Sequence, residues 1–163
     1  MTSVRAISKR DRLNIENGRE GERLVWSLLE QNDEIVHIQP SEDVYDSEKD
    51  SIVLYRDGHR STVEVKTICE LSVYPGFVTL DRKQVRKCFR VDHCYFNVVP
   101  NSSQKLMRTM EWTDRNKERL VLVNGKYGEF YKIPLSSMTL IKTWDVDTSK
   151  NFYRRSTSEY KKK

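Results

Sequence analysis

Covalent and metal staples are scarce in this chain. Its cysteines number three (Cys69, Cys88 and Cys94). An odd set cannot pair fully within one chain, and no Cys-x-x-Cys spacing is present. A disulfide framework and a zinc site are both disfavoured, and a reducing compartment is the simplest setting. His93-Cys94 has no second cluster to complete a metal site or a nucleophile. No apolar run approaches the length of a bilayer span, and the first residues lack the apolar segment of a secretory signal. The expectation is therefore a cytoplasmic protein, or a nuclear one in a eukaryote, with no membrane partner. Internal repeats, low-complexity blocks and coiled-coil heptads are missing. So is a glycine-rich phosphate loop, which argues against ATP-driven action.

What the chain does have is charge. Its 163 residues are 33% charged and 37% hydrophobic, the balance of one soluble domain with a wet surface and a real core. The net charge of +5 is local: residues 148–163 hold six basic residues and one acid, and the rest balances. The expected division is a domain over 1–147 and a basic tail over 148–163. With Phe152, Tyr153 and Tyr160 among its Lys and Arg, that tail reads either as a segment that orders on nucleic acid or as a solubilising end.

The most informative segment is Ser61-Thr-Val-Glu-Val-Lys-Thr-Ile68. Strand side chains alternate faces, so Glu64 and Lys66 share one face while Val63 and Val65 turn to the other. An acid and an amine fixed side by side over an apolar anchor suit metal-assisted hydrolysis of a phosphate ester. Upstream, Asp50 opens a second strand-like run, Ser51–Tyr55, and Asp57-Gly58 between the runs is a hairpin signal. Such a hairpin returns Asp50 toward Glu64. Asp43 and Asp46 are rival acids in the same loop. Asp50 is preferred because it abuts an apolar strand, which holds a carboxylate more firmly than a loop does.

Asp50, a hairpin, then Glu64-Val65-Lys66 resembles the PD-(D/E)xK nuclease superfamily over roughly residues 16 to 100. The match departs from the pattern before Asp50, where Glu48-Lys49 stands and no proline does. The resemblance implies an α/β fold, a central mixed β-sheet flanked by helices in a restriction-endonuclease-like core. It also implies a divalent metal, Mg²⁺ with Mn²⁺ as a substitute, held by acids.

Flanking segments fit that implication. Residues 16–30 read as a helix with Leu24, Val25, Leu28 and Leu29 as its apolar stripe. Glu22 projects near the stripe, and a carboxylate leaning toward a core needs a cation. Gly18-Arg-Glu-Gly-Glu-Arg23 resembles the first-helix segment of Holliday-junction resolvases, which makes Glu22 a candidate ligand. Residues 81–90 read as a second helix with Asp81 at its start. There Gln84 stands where several superfamily members place a glutamine that orients water or touches phosphate. Arg82, Lys83, Arg86, Lys87 and Arg90 crowd this helix at a density that suits DNA phosphates. Cys94–Val99 reads as a strand.

The C-terminal third is less legible. Residues 101–118 read as a flexible loop or an inserted helix, and as room for sequence-reading contacts. Residues 120–133 read as two strands around Asn124-Gly125, extending the sheet or forming a dimer surface. They belong to a β extension over 120–141.

The expected activity is a Mg²⁺-dependent endodeoxyribonuclease. Asp50, Glu64 and the Val65 carbonyl hold the metal, and Glu22 binds a second ion or orients water. Lys66 stabilises the attacking hydroxide or the crowded phosphorane. A Holliday-junction resolvase and a small homing or restriction-type endonuclease both remain open, each as a homodimer or higher symmetric oligomer because one chain offers one site. The alternative class is a non-catalytic nucleic-acid-binding module whose acids form only salt bridges.

Overall fold

The computed structural model describes residues 9–40, 51–126 and 128–157, and its architecture is α/β, as expected. Helix α1 (Lys9–Leu29) begins earlier than the periodicity suggested. Three antiparallel strands follow, β1 (Ile35–Pro40), β2 (Ser51–Tyr55) and β3 (Arg60–Cys69). The β2–β3 hairpin turns at Asp57-Gly58, where Gly58 takes φ 90°, a value that a side chain would resist. β1 had no sequence signal: its residues are half-exposed or exposed, without clean alternation.

A crossover then carries the chain through β4 (Phe77–Leu80) and helix α2 (Arg82–Arg90) to β5 (His93–Val99), which pairs parallel to β3. Parallel pairing requires such a crossover, because a tight turn can join only antiparallel strands. β6 (Arg108–Glu111) and β9 (Thr139–Thr143) complete a six-stranded mixed sheet in the order β1-β2-β3-β5-β6-β9. β7 (Val121–Gly125) and β8 (Gly128–Pro134) join β4 in a separate three-stranded sheet.

The alternation of β3 and β5 sorts the interior into two sides. Val63, Val65 and Tyr95 meet Val25 of α1 and Val53 of β2 on one side. Cys94, Phe96 and Val98 meet Val85 and Cys88 of α2, with Val78, Leu80 and Ile133 of the small sheet, on the other. Each fully buried valine contributes about 1.5 kcal/mol as an upper estimate. α1 and α2 thus cover opposite faces of the large sheet.

The structure adds detail to the C-terminal third. The 101–118 stretch is not wholly a loop, and it is not an inserted helix. It carries β6, whose flanking Met107 and Trp112 are fully buried and whose Met110 packs into the core. The 120–133 hairpin forms, but Gly125 and Gly128 are its last paired residues, so the chain reverses after Asn124-Gly125. The hairpin extends the small sheet and not the central one. The first part of the basic tail is helical: residues Val146–Thr157 form helix α3. Asp145 accepts a hydrogen bond from the Thr148 amide at 2.7 Å, and Phe152 packs with Val99 and Met107. Residues 158–163 lie outside the described residues.

Candidate active site

Glu64 is 1% exposed on the α2 face of β3, so its carboxylate is held away from water. Two ammonium groups meet it. Lys66 Nζ lies 3.3 Å from Oε1, and Lys87 Nζ lies 3.0 Å from Oε2. The first contact follows from strand alternation and was anticipated. The second comes from α2 and was not. A buried carboxylate stripped of a partner costs about 3–5 kcal/mol, so the lysines make its burial possible. Burial raises the Cys94 thiol well above its ordinary range, and the neighbouring Cys88 and the Glu64 charge add to that shift. A thiol kept neutral in this way packs and does not react.

α2 is fixed at both ends, and this aims Lys87. At its start Asp81 and Gln84 form a capping box: the Gln84 amide donates to Asp81 at 2.8 Å, and the Asp81 amide donates to the Gln84 side chain at 3.2 Å. At its end the Arg115 guanidinium donates to the carbonyls of Cys88, Val91 and Asp92 at 2.6, 2.6 and 2.8 Å. The carboxylate of Asp92 in turn accepts from the Thr62 amide at 2.8 Å, tying the helix exit to the start of β3. Lys87 falls three residues after Gln84 and beside buried Cys88, hence on the inward side of the helix.

Lys66 and Gln84 both line one cleft of about 740 Å³, together with Asn17 of α1 and Glu70 at the end of β3. The Lys66 side chain is 22% exposed, so a substrate in the cleft can reach it while Glu64 beneath stays sealed. Glu70 is itself buried and engaged: it accepts from the Gly76 amide at 3.1 Å and lies 3.4 Å from Arg108.

The other sequence candidates are placed as follows. Glu22 belongs to α1, on the sheet face opposite Glu64 and Lys66. The Val65 side chain joins the α1-side core, leaving only its backbone carbonyl for any ligand role. Asp50, Asp43 and Asp46 lie outside the described residues. Ser51, which follows Asp50, pairs with Val63, which precedes Glu64. Arg82, Lys83, Arg86 and Arg90 are exposed on α2, and Arg82 pairs with Glu129 at 2.7 Å. Arg82, Arg86 and Arg90 border a second cleft of about 610 Å³ with Lys117, Phe89 and Tyr131. Lys87 stands apart from that row, since its ammonium turns inward to Glu64. Lys117 and the helix-clamping Arg115 had no sequence signal. Lys87 had one, its helical spacing from Gln84 and Cys88.

Among the described residues, no three His, Cys, Asp or Glu side chains gather where a metal could be held. The oxygen donors at the centre are the Glu64 carboxylate and the Val65 carbonyl, the kind that Mg²⁺ prefers. A divalent cation fits Glu64 on one condition. Both carboxylate oxygens already face ammonium groups, so one of these must yield.

No family model matches the chain, and no curated protein matches it. Among solved structures it is similar to D212, a nuclease from a fusselovirus. The two are 13% identical with a TM-score of 0.44, over 94% of this chain and 98% of that one. Among the described residues no helix is long and apolar enough to cross a membrane. The functional reading rests on the residues of the site.

Proposed function

We propose that this chain is a metal-dependent DNA endonuclease that hydrolyses phosphodiester bonds. One observation carries the reading: a sealed carboxylate, Glu64, sits 3.3 Å from a lysine that opens onto a cleft. An acid buried at this cost, on a central strand and beside an accessible amine, suits a site for phosphate chemistry.

In this reading Glu64 and the Val65 carbonyl, with Asp50 as a further ligand, would hold Mg²⁺ or Mn²⁺. The ion supplies positive charge against the phosphate oxygens and a more acidic attacking water. Lys66 places its ammonium where negative charge grows on the phosphate during attack. Gln84, whose side-chain oxygen caps α2, borders the cleft from the helix side and orients what enters. Arg82, Lys83, Arg86 and Arg90 lie along the DNA backbone, joined by Lys117. Cutting both strands takes two copies in a symmetric dimer. Junction-resolving and site-specific cutting are the two target classes.

A second reading is favoured by one observation, the engagement of both Glu64 oxygens by lysines. It is a nucleic-acid-binding module on the same fold, with Glu64 as an internal counter-ion. Plasmid DNA and a synthetic four-way junction, incubated with Mg²⁺ or Mn²⁺, separate the two. Metal-dependent cutting by the wild type that is lost in Glu64→Ala supports the nuclease. Junction-selective cutting assigns a resolvase, and cutting at one plasmid position assigns a site-specific enzyme. DNA binding with no cutting in either metal overturns the nuclease in favour of the module.

A further inference from the structure

The cleft of about 610 Å³ between α2, the turn at Lys117 and β8 is built differently from the one beside Lys66. Of its eight lining residues, Arg82, Arg86, Arg90 and Lys117 are cationic and none is acidic. Arg82 is drawn to Glu129 at 2.7 Å, while Arg86 and Arg90 stand exposed. The rest of the wall is apolar or aromatic. Phe89 and Tyr131 are partly buried and pack at the margin of the core. Phe89 meets Trp112 with ring centroids 5.3 Å apart, and the Lys117 ammonium lies 5.5 Å from the Phe89 centroid. The ring is thus held by the core and still within reach of a charged group from the turn.

Phosphate contacts account for the cations but not for the rings. A paired duplex offers sugar and phosphate, and its bases are stacked out of reach. An unpaired base has a free π-face, and aromatic platforms in cationic grooves take single strands by stacking, with little regard to sequence. The volume falls among small-molecule sites, about 300–1,000 Å³, with room for a base and its phosphate. The walls are also set before anything enters. Arg115 ties the segment carrying Lys117 to the carbonyls of Cys88, Val91 and Asp92, beside Phe89. Tyr131 is placed by the pairing of β8 with Leu80 of β4. Preformed walls lose little freedom on binding.

We infer that this cleft is a subsite for an unpaired nucleotide: Phe89 and Tyr131 take the base, and Arg86, Arg90 and Lys117 take the flanking phosphates. The inference rests on the nuclease reading for its DNA partner and names the substrate class, DNA with unpaired nucleotides near the cut. Gln84 borders the Lys66 cleft and Arg86 borders this one, so only the width of a helix, about 10 Å, stands between them.

The test is fluorescence anisotropy in EDTA, with a labelled oligothymidine and a perfectly paired duplex of the same length. Phe89→Leu keeps apolar bulk against Trp112 and removes the ring, and Phe89→Tyr keeps the ring. Phe89→Leu is expected to weaken binding of oligothymidine by about 5- to 100-fold, the worth of one stacked base. Its slope of log affinity against log salt, and its affinity for the duplex, should stay as in wild type. Phe89→Tyr should bind as wild type does. A loss on the duplex as large as that on oligothymidine, or no loss on oligothymidine, overturns the subsite. A second readout needs no variant. Oligothymidine carrying 5-iododeoxyuridine crosslinks under ultraviolet light to aromatic rings stacked on that base, and the adduct should map to Phe89 or Tyr131. Adducts confined to other residues, or none from a strand that binds, overturn the subsite. The nuclease reading fails separately. A wild type that holds oligothymidine through Phe89 and cuts no DNA in Mg²⁺ or Mn²⁺ keeps the subsite and loses the nuclease, and one that binds no DNA loses both.

Discussion

Asn97 donates a hydrogen bond from its side-chain amide to the carbonyl of Gly21 at 3.0 Å, joining the middle of β5 to the middle of α1. The bond extends into a chain. Thr109 donates to the Asn97 side-chain oxygen at 2.6 Å, and the Trp144 indole donates to Thr109 at 2.7 Å. Asn97 and Thr109 are fully buried, so these polar groups are tolerated because they satisfy one another. The helix approaches this closely only because position 21 has no side chain. A Cβ built there would overlap Thr67 Oγ1 and lie 2.7 Å from Asn97 Nδ2.

Gly21→Ala is therefore expected to push α1 off the sheet and destabilise the fold by about 1–3 kcal/mol, despite the better helix propensity of alanine. Urea denaturation measures the loss. Removing the nearest obstruction in Gly21→Ala/Thr67→Ala should recover part of it, whereas a purely local helix effect would not respond to Thr67.

The clamp on α2 gives a second test. Arg115→Ala removes three hydrogen bonds to carbonyls at the helix exit, and a loss of about 2 kcal/mol is expected. Faster hydrogen exchange should appear first at α2 amides, because the helix end that carries Lys87 loosens before the sheet does. Uniform exchange across the molecule would show that Arg115 stabilises the whole fold without positioning the helix.

These relationships mark what the amino-acid order reveals. The Asp57-Gly58 turn and the Val63/Glu64 alternation were legible because each is a local signal with a single geometry. The capping residue of α2, Asp81, was legible for the same reason. The inward turn of Lys87 was marked only by its spacing from Gln84 and Cys88, a weak signal among five basic residues on one short helix whose composition suggests a solvated, phosphate-facing surface. β6 was hidden because its four residues include Arg108 and Glu111. Its core membership comes from Met110 and the adjoining Trp112, which a short period-2 pattern hardly distinguishes from a loop. The small sheet was hidden because β4 pairs with β8, far along the chain. For α3, the Asp145 cap was present in the sequence, but the density of basic residues outweighed it.

Lys66→Ala is expected to lower the cleavage rate by about 10²–10³-fold, the effect of removing one preorganised charge from a phosphate transition state. Single-turnover cutting of an end-labelled substrate measures this. Affinity for DNA should change little, because the exposed row on α2 is untouched. Cleavage at the wild-type rate would remove Lys66 from the mechanism.

Alkaline stability tests the α1-side core. Burial raises the Tyr95 phenol well above its ordinary value of 10.0, and the Glu111 carboxylate and Tyr55 add to that shift. The sign follows from linkage. The unfolded chain releases the Tyr95 proton once the pH passes 10, while the folded protein still holds it. The contribution of the neutral phenol is thus complete below that pH and is lost above it. Melting temperature should fall as pH rises from 9 to 11, and Tyr95→Phe should fall less steeply over the same range. Equal slopes would place the titrating group elsewhere.

Salt dependence tests which charges meet DNA. If Arg86 and Arg90 each neutralise a phosphate, Arg86→Gln and Arg90→Gln should weaken binding to any duplex by similar factors. Each should also reduce the slope of log affinity against log salt by about one. Lys87→Gln discriminates further. In metal-free protein its ammonium belongs to Glu64, so the slope should not change. Fluorescence anisotropy with one labelled duplex, titrated at four salt concentrations, resolves these cases. A Lys87→Gln slope reduced as much as the arginine substitutions reduce it would mean that Lys87 faces phosphate, and that its pairing with Glu64 does not govern its use.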